Sequence, residues 1–302
     1  MTSLFTDKRF IVLFSLYMAQ GLPTGVFTQA LPAILRSYDV SLQAIGLTGF
    51  LAIPWALKFL WAPYLDRFHS LKIGRSRSWI LPMQVLAIVL LVMVALFNPH
   101  TLSTNVGLTQ FFALMFLLNL VAATQDIATD SLAVRHLNYE ERSWGNGLQV
   151  AGYRLGLVIG GGLLLYVIGV WHWQSAFFAL TALFVLVSVP IVLFKEQVPP
   201  EAQASTPKNS YFDGFKSLMM HPAFKPWLLV LVTYKIGESL GSAMVKPMFI
   251  DMGLKFEQIG LFVSVIGSLA TLAGAFLAGW WVKRLGRSLS LLSFGLAQGL
   301  GV

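Results

Sequence analysis

Phe111-Phe112-Ala113-Leu114-Met115-Phe116-Leu117-Leu118-Asn119-Leu120-Val121-Ala122-Ala123-Thr124-Gln125-Asp126-Ile127-Ala128-Thr129-Asp130 decides how this chain is read. Its first part is apolar enough for the hydrocarbon core of a bilayer, and its last part carries two carboxylates. An ionised Asp at the centre of a spanning helix costs roughly 2.5–3.5 kcal/mol on insertion scales, so two retained there point to use rather than accident.

Working outward, the rest of the 302-residue chain has the same character: 56% of residues are hydrophobic, 11% are charged and the mean hydropathy is +0.72. A soluble fold of this length needs more polar surface. Apolar stretches of about 20 residues, each able to cross a roughly 30 Å hydrocarbon core as a helix, recur along the chain. They predict spans over 10–35, 42–64, 78–97, 107–134, 146–169, 173–194, 224–249 and 257–282, with a further one beginning near Ser288. The expected class is an all-α polytopic membrane protein. The first stretch is too long for a signal-peptide core and has no convincing cleavage site, so it reads as an uncleaved span. The absence of cysteine excludes disulfides and thiolate metal ligands.

The net charge of +8 would suit nucleic acid, but its distribution argues otherwise. Lys8 and Arg9 precede the first span; Arg67, Lys72, Arg75 and Arg77 follow the second; Arg135 and Arg142 follow the fourth. Lys195, Lys208, Lys216 and Lys225 surround the stretch after the sixth, and Lys283, Arg284 and Arg287 follow the eighth. These alternate loops share one side. The intervening loops at Asn98–Val106 and Gly169–Gln174 hold no Lys or Arg, and the other two carry only Arg36 and Lys255 near their helix ends. The positive-inside rule therefore predicts a cytoplasmic N-terminus.

An internal repeat is visible as well. Tyr17, Asp39-Val-Ser-Leu-Gln-Ala-Ile-Gly46 and Asp66-Arg67 recur in approximate register as Tyr234, Asp251-Met-Gly-Leu-Lys-Phe-Glu-Gln-Ile-Gly260 and Lys283-Arg284. Between the copies, Glu196 to His221 is polar and proline-bearing, as expected of a linker. The predicted organisation is a six-helix bundle over 1–194, a cytoplasmic linker over 195–223 and the start of a second bundle over 224–302, the chain stopping within the ninth span. The expectation is thus a fragment of a parallel-repeat transporter.

On these residues the chain resembles the major facilitator superfamily. Its loop signature is matched by Ala62-Pro63-Tyr64-Leu65-Asp66-Arg67 with Gly74-Arg75-Ser76-Arg77, and by Gly279-Trp-Trp-Val-Lys283-Arg284-Leu-Gly286-Arg287, which has Lys283 in place of the acid. Gly21-Leu22-Pro23, Lys58-Phe59-Leu60-Trp61-Ala62-Pro63, Ala123-Thr124-Gln125-Asp126-Ile127-Ala128-Thr129-Asp130, Glu141-Arg142 and Gly152-Tyr153-Arg154-Leu155-Gly156 are similar to one branch of it. That branch holds AmpG-type muropeptide permeases, acetyl-CoA transporters and siderophore importers of the RhtX/FptX kind. The resemblance implies a bacterial inner-membrane symporter, importing a bulky polar solute by rocking two bundles about a midplane site, a monomer working with protons and without a cofactor. A cell-wall muropeptide is the favoured solute and an iron–siderophore complex the alternative.

The site residues can be assigned only as roles. Asp126 and Asp130 share a helix face and suit proton or solute coupling, or one of them pairs with Arg154 as a structural tie. Arg154 suits a carboxylate or phosphate clamp equally well. Gln20, Gln29, Gln125 and Gln149 offer neutral hydrogen bonds, and Lys235 with Glu238 decorates the seventh span, as site groups or as a pair of their own. Lys58 is expected to snorkel or to pair with Asp66. Asp66, Arg67, Arg75 and Arg77 read as a cytoplasmic gate, and Trp55, Trp61, Trp79, Trp171 and Trp173 as an interfacial belt. Gly21-Leu22-Pro23 reads as a packing or hinge element. No nucleophile–base pair, phosphate loop or metal cluster stands out, so an enzyme is not expected; a membrane signalling or scaffold protein is the alternative of another class.

Overall fold

A computed structural model describes residues 7–70, 72–138, 141–196, 219–222, 224–226, 228–229, 244–267, 270, 289–290 and 292–297, with backbone alone at 142–144 and 263–265. Among them are six helices long and apolar enough to cross a membrane. They are α1 Lys8–Ser37, α2 Leu42–Leu60, α3 Arg77–Leu96, α4 Asn105–His136, α5 Gly145–Val170 with its first turn beginning at Glu141, and α6 Trp173–Leu193. The chain is an all-α multi-pass membrane protein, and the first six of the predicted spans agree with these to within a few residues. Of the later spans, residues 244–251 are helical, and Phe256–Ile259 runs into Gly260–Ile266 as α7. Most of the linker and the remainder of the predicted second bundle lie outside the described residues.

Local chemistry sets the ends. The Asp7 carboxylate accepts the Arg9 N–H at 2.9 Å and starts α1, Ser41 accepts from Ala44 at the head of α2, and Thr104 accepts from Gly107 at the head of α4. Pro23 lies inside α1 without an N–H to donate, and three residues on the helix widens into a π turn over Val26–Ala30.

α1 is the axis of the bundle. Its apolar window is 89% buried against 17% for α2, which lies at the periphery along α4. α1 packs against α5, α6 and α4, while α3 fills the space between α4 and α6, and α7 lies along the distal part of α5. The contact of α1 with α5 is backbone to backbone. A Cβ at Gly156 would stand 2.3 Å from the Met18 carbonyl oxygen, one at Gly160 2.0 Å from that of Leu22, and one at Gly21 2.3 Å from that of Tyr153. Small residues permit this approach, which supplies dispersion in a solvent that offers no hydrophobic drive between helices. Gly21 is therefore a packing residue.

The core is divided in two. One apolar cluster holds Phe10, Leu13, Leu16, Ile80, Leu132 and Ile191; the other runs from Met18 to Leu35 on α1 with Phe111, Leu118, Phe177 and Phe184. Between them, at the same level on four helices, are the buried polar residues Gln20, Gln84, Gln125, Asp126 and Ser188. The tryptophan belt needs correction. Trp55 and Trp61 donate inward to Asn119 and Thr124 of α4, and Trp173 is buried and donates to the Val94 carbonyl, whereas Trp171 is exposed.

Candidate functional site

A cavity of about 430 Å³ opens at this polar level, walled by α1 (Tyr17, Gln20), α2 (Trp55), α4 (Asp126) and α5 (Gln149, Val150, Tyr153, Arg154, Leu157). Its residues fall in the first half of α1 and α5 and the second half of α2 and α4, which places it toward the end of the bundle carrying the basic loops. A pocket of this size, mostly apolar with a few convergent polar groups, has the anatomy of a small-molecule site.

Asp126 is 7% exposed, and its carboxylate accepts from the Lys58 ammonium at the end of α2. The same ammonium stands 5.7 Å from the Trp55 ring centroid. Lys58 thus crosses to α4 instead of pairing with Asp66, and Asp126 does not pair with Arg154. Asp126 is the buried partner and the Lys58 side chain is one-third exposed, so loss of Lys58 leaves a buried carboxylate without its cation. One turn on, Asp130 accepts from the Tyr17 hydroxyl at 2.9 Å. The two carboxylates therefore have different partners on two different helices. Trp55 is fixed by its Nε1–H bond to Asn119, whose own amide donates to the Met115 carbonyl.

The amides differ among themselves. Gln20 and Gln125 are each 2% exposed, and the Nε2 of each makes no hydrogen bond to the protein. Gln149 lines the cavity, whereas Gln29 lies outside its lining, against Gly161 of α5. Arg154 is exposed at the cavity rim and makes no ion pair among the described residues. Lys235 and Glu238 lie outside the described residues.

The proposed gate residues form a more specific structure than their clustering suggested. Arg75 pairs with Asp66 at 3.3 Å, Arg67 is exposed with no ion pair among the described residues, and Arg77 donates to the carbonyls of Ile73, Ile191 and Val192, tying α3 to the end of α6. Sequence reasoning missed the acid at the centre. Glu196, just past α6, has a side chain only 2% exposed and accepts the N–H groups of Ser76 and Arg77 at 2.9 and 3.0 Å. Arg135 of α4 lies 3.5 Å from it and also bonds Ser76. A helix N-terminus with a guanidinium beside it is a natural carboxylate seat. Gly74 makes room: at φ +116° it lacks a Cβ that would stand 2.5 Å from the carboxylate.

At the other end of α1, Arg36 donates to Asp251 at 2.5 Å and Lys246 donates to the Thr28 carbonyl at 3.0 Å. These contacts join α1 to the helical segment 244–251.

Comparison with known proteins agrees with this architecture. The family model described as acetyl-coenzyme A transporter 1 matches residues 9–168. An uncharacterized protein of Haemophilus influenzae is 32% identical over 306 residues, covering 98% of this chain and 70% of that protein. The anhydromuropeptide permease of Escherichia coli K12 is 29% identical over 306 residues, again 98% of this chain, and the chain spans 60% of the length of that permease. The transporter AmpG 4 of Rickettsia conorii is 27% identical over 313 residues, covering 99% of this chain and 73% of that protein. With more than half of its length matched by one family model, and a 32% identical relative aligned along nearly all of it, the chain belongs to the acetyl-coenzyme A transporter family, in the AmpG-like branch of the major facilitator superfamily.

Proposed function

We propose that the protein imports an anhydromuropeptide-like solute, a sugar bearing an acidic peptide, across a bacterial inner membrane at the expense of the proton gradient. The observation that carries this reading is the buried Asp126, paired with Lys58 and set in the wall of a cavity made by four spanning helices. A carboxylate held by one cation at bilayer depth has a place to put a proton when that cation moves away. The similarity to the anhydromuropeptide permease of Escherichia coli supports the solute class and lends nothing to the siderophore alternative.

In this reading the N-terminus and basic loops face the cytoplasm, residues 1–194 form one rocking bundle, 195–223 link it to the next, and 224–302 begin the second. The transporter works as a monomer. Asp66, Arg75 and Arg77, with Glu196 and Arg135, hold the cytoplasmic ends of α3, α4 and α6 together, while Gln20, Gln125, Asp126, Asp130 and Arg154 serve the solute and its proton.

The test is uptake of labelled anhydromuropeptide by cells lacking their own permease and expressing the full-length protein, with and without a protonophore, and with Asp126→Asn. Uptake that collapses with the protonophore and with the substitution is expected. Uptake indifferent to both would end the coupling role of Asp126, and uptake of ferric siderophore alone would replace the solute. A scaffold protein would take up neither.

A further inference from the structure

The cavity treats charge unevenly. Asp126 is matched by Lys58, and Asp130, outside the lining, is served by Tyr17. Arg154 is left over. It lies half a turn around α5 from Gly152 and Gly156, whose contacts with the α1 backbone fix the rotation of α5 about its axis. Its guanidinium is therefore held at the exposed rim of the cavity, and no carboxylate among the described residues meets it. Deeper in, the nearly fully buried Gln20 amide lines the same cavity with its Nε2–H₂ unmatched by any protein acceptor. A buried donor without an acceptor costs about 1–3 kcal/mol, and a ligand oxygen would relieve it.

Resting on the transport reading above, we propose that the cavity selects its solute at two places: Arg154 at the rim takes a carboxylate of the solute, and Gln20 in the interior donates to an uncharged oxygen of its sugar. The two contacts divide the work. The rim cation discriminates between acidic and neutral solutes, because a planar guanidinium grips a carboxylate through two parallel hydrogen bonds that an amide or ester cannot reproduce. The interior amide discriminates by shape and oxygen position and is blind to charge. Trp55, held by its Nε1–H bond to Asn119, lines the same cavity.

The experiment compares uptake of anhydromuropeptide with that of the same molecule after its peptide carboxylates are converted to methyl esters, using the full-length protein at matched membrane levels. The wild type is expected to prefer the acid by about tenfold or more in KM. Arg154→Gln should erase that preference by weakening the acid alone, Arg154→Lys should retain part of it, and Gln20→Leu should raise KM for both solutes by a similar factor. An Arg154→Gln protein that still prefers the acid, or a Gln20→Leu protein that loses the preference, overturns the assignment. A wild type that carries both solutes equally overturns it too while leaving the transport reading standing, whereas a wild type that carries neither removes that reading and this one with it.

Discussion

The two ends of α1 are tied in opposite ways. At the Lys8 end, Arg9 donates to Glu141 at 2.8 Å and to the His136 carbonyl at 2.8 Å, so the tie stays within the first six helices. The other ion pairs of that end, Asp66–Arg75 and Arg135–Glu196, do the same. At the Ser37 end, Arg36 and the Thr28 carbonyl reach across the repeat to Asp251 and Lys246. Between the ends, glycines press α1 onto α5. A bundle reinforced internally at one end and bridged to its neighbour at the other presents its cavity toward the first end. Charge therefore has two uses: at the basic end it joins helices of the six-helix bundle, and at the far end it joins α1 to the segment 244–251.

The harshest way to break the comparison is to attack the middle that both ends depend on. Gly156→Leu sets a side chain where a Cβ already stands 2.3 Å from backbone, and overpacking of this kind costs about 1–3 kcal/mol or more. Little folded protein should elute as a single peak from detergent size exclusion. Gly147→Leu on the same helix, where a Cβ meets nothing within 4 Å, should elute like the wild type.

A milder change acts on the far end alone. Arg36→Glu faces Asp251 with a like charge and should let that end part without unfolding the bundle. Because the chain has no cysteine, Val150→Cys gives a clean reporter in the cavity wall. Its labelling from the side opposite the basic loops should speed up with Arg36→Glu, and should return to the starting rate when Asp251→Arg is added. Labelling unchanged by the first substitution would mean that the pair does not close that end.

The smallest effect belongs to the basic end. Hydrogen bonding to the Asn138 N–H, then to Arg9, holds the Glu141 carboxyl below its ordinary pKa, and Arg9 does the same for Asp7. Both groups titrate lower folded than unfolded, so their contribution is present above the ordinary carboxylate range and is lost as pH falls through the lowered values. Thermal melting in detergent should weaken on acidification below about pH 4, and less so in Glu141→Gln. Equal acid sensitivity in the two proteins would assign the loss to other carboxylates.

The first six spans, the turns between them and the polar run of α4 were legible in the sequence because each is a local matter of apolar length and charge placement. Partnership was not. Nothing in the spacing of Lys58 separates Asp66, eight residues away on the same chain segment, from Asp126 on another helix; only the way α2 lies along α4 decides it. Glu196 read as the first residue of a linker, since its seat on the α3 N-terminus depends on Gly74 and on α6 ending beside α3. Gln84 was invisible as a site-level residue because one buried amide in an apolar helix resembles any other until four helices bring theirs to one level. Trp173 misled for a related reason: a tryptophan near a loop suits an interface and a core equally.

The bare surface of α5 has one more consequence. The helix meets α1 through Gly156, Gly160 and Gly161, and meets α7 through Gly162, whose carbonyl oxygen would stand 2.5 Å from a Cβ on Gly260. Interlocked side chains act like gear teeth, so that moving one helix past another means climbing out of one notch into the next. At Gly162 and Gly260 the seam between α5 and α7 has no such teeth, whereas farther along α5 the Glu257 side chain sits against Gly169 and supplies one. The same helix is thus pressed bare against α1 on one side and, on the other, keyed to α7 by a side chain that only a glycine at 169 can admit.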